Sequence, residues 1–209
     1  MDEQNKSPFL TIWTSPRATI RRIVDSDPTR FVLILAVLGG FSEALDRMSM
    51  ESMGDIISIP EILLFCIIVG PIIGLIGLYV GGALLKWTGT WIGGQGSSVE
   101  IRAAIAWSNI PVICALVLWI PELLLFGEEL FTSEMPNTIA SPLLTALFFA
   151  FVIVEFIIGV WAFIIFLNCL GELQRFSAWK ALSNTLLSVF VIVMLLFIIL
   201  IPFLLFNRG

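Results

Sequence analysis

Residues 61–85 read EILLFCIIVGPIIGLIGLYVGGALL, with a single charge, at the first position. A helix of that length rises about 37 Å at 1.5 Å per residue, more than the roughly 30 Å of hydrocarbon in a bilayer. Gly70, Gly74, Gly77 and Gly81 recur along it at steps of four, three and four. Such spacing leaves one helix face without side chains, so a neighbouring backbone can approach closely where water supplies no driving force. The stretch is therefore expected to be a membrane span whose glycine face packs on another helix, of the same chain in preference to a second copy. Pro71 is expected to kink it.

The rest of the chain agrees with this span. Hydrophobic residues make up 58% and charged residues 13%, with a mean hydropathy of +1.03, against about a quarter charged in soluble domains. Four more apolar runs of suitable length lie at 30–50, 103–126, 141–167 and 183–206. The first is the most polar, with Ser42, Glu43, Asp46 and Arg47 in its last third. Glu43 and Arg47 stand four apart, so one helix face can pair them. The expected fold is all-α: a polytopic membrane protein with five transmembrane helices over 30–206, preceded at 1–29 by a short N-terminal amphipathic interfacial helix.

Basic residues near span ends are retained in the cytoplasm. With five spans, Lys6, Arg17, Arg21, Arg22, Arg30, Lys86, Arg102, Arg175 and Lys180 fall on one side, and Arg47 and Arg208 on the other. The N-terminus is thus expected in the cytoplasm and the C-terminus outside. The opening MDEQNKSP is polar and acidic, unlike the basic start of a signal peptide, so the first span is expected to act as the insertion signal. Cys66, Cys114 and Cys169 show no metal-binding or redox spacing and read as small packing residues.

Within the N-terminal segment, Ser15-Pro16 is a helix-opening pair, and Asp27-Pro28 repeats it before the first span. Between them Ile20, Ile23 and Val24 share one face, while Arg17 and Arg21 share another. That pattern is expected of a helix lying in the interface, with its aliphatic side in lipid and its arginines toward anionic headgroups.

The loop after span two, KWTGTWIGGQGSSVEIRAAIAWSNIP, is rich in glycine but has no GKS or GKT and follows no strand. It therefore lacks the parts of a phosphate loop. Gly93, Gly94 and Gly96 permit a tight turn, and Ser97 with Glu100 forms a capping box for the next helix. Trp107, Ser108 and Asn109 follow, ahead of Pro111.

The run GGQGSSVEIRAAIAWSNIP, together with NCLGELQRFSAWKALSN after span four, resembles the Yip family of Ypt/Rab-interacting membrane proteins, in its short prokaryotic form. The likeness covers about residues 9–206. It implies a five-span core with a cytoplasmic N-terminus, no catalytic residues and no cofactor. Eukaryotic relatives are associated with Rab-family GTPases and vesicle traffic through a longer N-terminal region. The segment before span one here is short, which argues against Rab-type GTPase binding, and a plasma-membrane location is expected. The motif residues expected to meet a partner are Gly93, Gly94, Gly96, Ser97, Glu100, Trp107, Ser108, Pro111, Gly171 and Glu172. Expected partners are membrane lipids and either another protein or a second copy, with no nucleic acid.

One carboxylic acid, Glu155, lies inside the apolar run FVIVEFIIGVW. Span four has no Lys or Arg, so an ionised Glu155 would be unpaired at a cost of about 2.5–3.5 kcal/mol on insertion scales. It is expected to be neutral and to donate a hydrogen bond, with Tyr79, Asn109 and Thr145 as the available partners. Gly159 and Ala162 continue its face as a packing surface. Glu43 and Glu122 stand in the outer halves of their own spans, so Glu155, Glu122, Glu43, Asn109 and Tyr79 form a candidate intramembrane polar pocket. A transporter or lipid flippase would use such a pocket, whereas a scaffold would use the cytoplasmic loops. The sequence has no His, and no paired Asp, Ser-Lys dyad or metal-ligand cluster in a span. Hydrolysis of the common types therefore lacks its parts, and no metal site is expected.

Overall fold

The computed structural model describes residues 7–206; Lys6, Arg208 and the C-terminal Gly209 lie outside the described residues. Every described regular element is helical. After one turn at Pro8–Thr11 come α1 (Pro16–Ser26) and α2 (Val32–Met50). They are followed by α3 (Ile59–Trp91), α4 (Ser98–Phe131), α5 (Pro142–Gln174) and α6 (Ala178–Phe206). Among the described residues, four helices are long and apolar enough to cross a membrane: α3, α4, α5, and α6 as far as Ile198. The run at 30–50 forms a helix of 19 residues. Its composition separates it from those four, because Glu43, Asp46 and Arg47 fall together in its second half.

The helices α2 and α3 form an antiparallel hairpin turned by Met53–Asp55. Glycine sets its spacing. A Cβ on Gly70 would stand 2.8 Å from the Phe41 Cα, and one on Gly40 would stand 2.6 Å from the Gly74 Cα. These are backbone-on-backbone approaches that no side chain can enter. Gly77 and Gly81 depart from the expected face, since an added Cβ at either would meet nothing within 4 Å, and the same holds for Gly159. The reason is local. The helix widens to a π-helical stretch at Gly77–Gly81, where Leu78 turns inward and is 1% exposed. Pro71 lies inside the regular part of the helix before it.

The first turn of α3 is fixed by Glu61, whose carboxylate accepts from the Ser58 backbone N–H and hydroxyl, both at 2.8 Å. In α4, Ser97 and Glu100 form the expected box: Ser97 N–H donates to Glu100 Oε2 at 2.7 Å, and Glu100 N–H donates to Ser97 Oγ at 3.3 Å. The helix is interrupted at Asn109, just before Pro111, and again around 116–118. Proline at the first turn of the segment after Asn109 is tolerated, because its missing N–H would have no helical acceptor there.

Three apolar clusters fill the bundle. One joins α1, α2, α3, α4 and α5 around Ile20, Ile23, Leu35, Leu78, Trp107 and Cys169. A second, at the opposite end, joins α2, α3 and α4 around Leu45, Ile62, Trp119 and Phe131. A third joins α3, α4, α5 and α6 around Leu85, Ile101, Leu170 and Ala181. Large apolar side chains such as Phe156 and Leu186 remain exposed on the outside, as expected where lipid is the solvent. The two ends differ in charge. Arg17, Arg21, Arg175 and Lys180 gather at the end where α5 finishes; Asp46, Glu51, Asp55 and Glu129 gather at the other.

The amphipathic N-terminal helix exists, but its surroundings differ from the expectation. Thr19, Ile20 and Ile23 of α1 are buried against the bundle instead of lipid. Arg17 and Arg21 face the end of α5 instead of open headgroups. An amphipathic pattern marks an apolar face without marking which apolar phase covers it. Asp27 also departs from expectation: α2 begins only at Val32, and the Asp27 carboxylate instead takes the Thr29 backbone N–H at 2.9 Å and its hydroxyl at 2.7 Å. These hydrogen bonds hold the Asp27 carboxyl below its ordinary range.

Candidate functional site

At the basic end, the two distinctive sequence runs fold onto each other through Gln174. This side chain is 1% exposed. It donates from Nε2 to the Leu85 carbonyl at 3.2 Å, and its Oε1 accepts from the Gly96 N–H at 3.2 Å. The Gln174 carbonyl accepts from the Gln95 N–H at 3.3 Å. Gly89 and Gly94 have no side chain because Gln174 fills the space where a Cβ would stand. Asn184 of α6 donates to the same Leu85 carbonyl at 3.0 Å and accepts from the Thr88 hydroxyl at 2.7 Å, with Ser188 closing the chain. Thr88, Gln174, Asn184 and Ser188 are all buried. They carry the glycine turn as one satisfied polar network.

The helix α5 ends in a Schellman turn. Phe176 N–H reaches the Gly171 carbonyl at 2.6 Å, and Arg175 N–H reaches the Glu172 carbonyl at 3.3 Å. The residue in the left-handed position is Arg175, at φ +58°, where glycine is the usual occupant. Gly171 is required by proximity: a Cβ there would stand 3.0 Å from Arg17 Nη2 and 3.1 Å from the Phe176 carbonyl. Glu172 pairs with Arg21 at 3.2 Å and Arg17 at 3.5 Å, and Arg17 also donates to Asn168 Oδ1 at 3.1 Å. Trp107 is 1% exposed and donates its indole N–H to the Arg30 carbonyl at 3.2 Å. Ser108 donates to the Ile105 carbonyl at 2.8 Å, and Pro111 is buried. Of the motif residues, Gly93 and Ser97 are exposed.

At the acidic end, α2, α4 and α5 line a half-open cavity of about 530 Å³. Ser42, Asp46 and Ser49 line it from α2, Trp119 and Glu122 from α4, and Glu155 from α5. The structure therefore brings Glu155 and Glu122 together with Asp46. Glu43 is exposed and lies 3.6 Å from Arg47, off this cavity. Tyr79 lies on α3 under the Arg102 guanidinium, 4.9 Å from its ring centre. Asn109 packs beneath Gly39. The Thr145 hydroxyl donates to the Thr138 carbonyl at 2.8 Å. None of the three partners suggested for Glu155 meets it, because each is held by a neighbour on its own side of the bundle. Gly159 lines the cavity and packs on no helix.

Three further acids of this end are occupied. Asp55 accepts from the Ser133 N–H at 3.2 Å, and Glu61 caps α3. Glu129 takes the Asn137 and Thr138 N–H groups at 2.8 and 2.9 Å and the Thr138 hydroxyl at 2.6 Å.

The Yip1 domain family matches residues 10–201 of the chain. The chain belongs to that family. No curated protein and no solved structure matches it. The match takes in α1 to α5 and most of α6, so this Yip1 domain is an integral, multi-pass membrane protein, helical throughout its described regular elements, with the glycine turn and the end of α5 inside the match.

Sequence reasoning passed over three parts of this Yip1 domain. Gln174 and Asn184 carry no local signal, because their partners Leu85, Thr88 and Gly96 lie 78 to 99 positions away in sequence. Asp46 reads in sequence only as part of the polar end of the run at 30–50, although Ser42, Asp46 and Ser49 stand at steps of four and three and so share one helix face. That spacing is the signal that finds the cavity. Gly40 is the third: it faces Gly70 and Gly74 across the hairpin, and only knowledge of which helices are antiparallel neighbours pairs them.

Proposed function

We propose that this protein is a non-catalytic organiser of its membrane that recruits a partner at its basic end, with that end in the cytoplasm of a prokaryotic cell and the protein in the plasma membrane. Five crossings are part of this reading. The helix α2 is about 28 Å long at 1.5 Å per residue, lies antiparallel along α3, and its Arg47 faces Glu43 and Glu51 at 3.6 and 4.0 Å. The excess of Arg and Lys at one end supports the orientation.

Arg175 is the observation that carries the reading. Holding a non-glycine residue in the left-handed region costs about 1 kcal/mol, yet an arginine stands there with its side chain exposed, beside the turn that Gln174 holds. Among the described residues no acid pairs with it. A guanidinium held out in water in this way suits an acidic surface on another protein. A photo-crosslinking amino acid at Gln95, in native membranes, is expected to capture a protein product that is lost in Arg175→Gly, a change the backbone accepts without strain. Products made only of lipid, or a product indifferent to Arg175→Gly, would refute the reading.

A second reading, movement of a lipid or solute through a pocket around Glu155, is favoured by the acid-lined cavity between α2, α4 and α5. With Cys66, Cys114 and Cys169 replaced, a cysteine introduced by Glu155→Cys is expected to react rapidly with an impermeant thiol reagent added from outside. An unreactive thiol in a folded variant would remove this reading.

A further inference from the structure

Glu122 is 5% exposed and lines the cavity between α2, α4 and α5. Among the described residues its carboxylate has no hydrogen-bond donor and no ion-pair partner, and the same is true of Asp46 and Glu155 beside it. Arg47, the basic residue of this end among the described residues, is turned toward Glu43 and Glu51. Four carboxylates thus line one half-open space, Asp46, Glu122 and Glu155 without a partner and Glu129 held by Asn137 and Thr138, and among the described residues no Lys or Arg lines it. Asp46 and Glu155 are half-buried, but Glu122 is buried with its carboxylate opening onto the cavity; an acid so placed is ordinarily paired or hydrogen-bonded, so its missing partner bears on what the space accepts.

The shape narrows the ligand. The cavity, at about 530 Å³, is in the size range of small-molecule sites, about 300–1,000 Å³, and far larger than a bare ion needs. Among the described residues no three acids are grouped closely enough to hold one metal ion. The carboxylates instead lie on three different helices, with apolar wall between them from Trp119, Phe148, Val152 and Ile158. Trp119 is itself fixed by stacking on Phe131, at 5.7 Å between ring centres. Anionic groups spread over an apolar wall with an indole face match an ammonium group carried on a hydrocarbon body.

We propose that the cavity binds an alkylammonium ion, with Glu122 as its principal counter-charge and Asp46 and Glu155 flanking it. The ammonium can belong to an aminophospholipid headgroup or to a soluble amine, and the chemistry of recognition is the same. The inference concerns occupancy alone and stands whether or not anything is moved across the membrane.

The test uses the full chain purified in a non-ionic detergent. Native mass spectrometry compares phosphatidylethanolamine with its N-acetyl derivative, which keeps the phosphate and acyl chains but has no ammonium. Thermal shift compares n-octylamine with n-octanol. At least one amine is expected to bind about tenfold or more tighter than its neutral counterpart, in line with a desolvated charge pair. Glu122→Gln, a neutral isostere, is expected to abolish that discrimination. A preference within the lipid pair assigns a headgroup; a preference within the soluble pair alone assigns a free amine. No discrimination by the unmodified protein in either pair would overturn the proposal. So would discrimination that survives Glu122→Gln and Glu155→Gln together.

Discussion

Gly74→Val is expected to separate α2 from α3 and to cost about 3 kcal/mol or more, the upper range for overpacked interiors. The magnitude follows from what the new atoms would strike. A Cβ at position 74 would stand 3.0 Å from both the Ala36 carbonyl carbon and the Gly40 Cα, and the Ala36 carbonyl oxygen is closer still. These are main-chain atoms inside two regular helices, so neither side can yield as a long side chain would. Gly40→Val is expected to act through the same contact from the other helix, and the two changes should therefore add poorly. Gly77→Ala and Gly81→Ala supply the control. Space is open at both positions, and replacing a helical glycine by alanine ordinarily gains about 0.5–1 kcal/mol. Thermal unfolding in detergent would read all four variants. A Gly74→Val protein as stable as the Gly77→Ala protein would mean that the hairpin is not held at the glycines.

Gln174→Ala should have a comparable effect, acting at the opposite end and by another mechanism. The Gly96 N–H would lose its acceptor, at about 1–3 kcal/mol for a buried unsatisfied group. The vacated volume between Gly89 and Gly94 would add a cavity term of similar order. Asn184 still donates to the Leu85 carbonyl at 3.0 Å, so that group keeps one partner and the network does not fail entirely. The sum is about 2–6 kcal/mol, and the loss is local. Protease cleavage within residues 92–97 should accelerate before the remainder of the bundle loosens. Unchanged cleavage there would show that the turn holds itself and that Gln174 only fills space.

These two sites also show where a sequence stops being informative. The spans could be read because lipid imposes one requirement on every residue of a run, so length and apolarity suffice. The capping box at Ser97 and Glu100 could be read because all of its parts lie within four residues. Gln174 could not, because its partners Leu85 and Gly96 are 89 and 78 positions away. Half of the glycine face was legible for a related reason. Gly70 and Gly74 stand where the spacing puts them, but a single widened turn at Gly77–Gly81 carries the next two glycines away from α2. In the candidate cavity, Glu122 and Glu155 stood out as acids in apolar runs. The choice between Glu43 and Asp46 depended on which side of α2 faces inward. The hydroxyls of Ser42 and Ser49 mark that side.

The helices α3 and α5 contain 33 residues each, about 50 Å of rise apiece, whereas the hydrocarbon layer takes up roughly 30 Å. The surplus is on the order of 20 Å per helix, more than the roughly 10–15 Å that the two headgroup layers add together. A thicker bilayer would draw more of both shafts into hydrocarbon and a thinner one would leave more in water, at fractions of a kcal/mol per ångström. The depth at which Trp91 and Trp179 meet the lipid surface would shift with it. Membrane thickness is thus a mechanical input to this molecule, and transfer between bilayers of different lipid chain length would change how far its basic end stands clear of the surface.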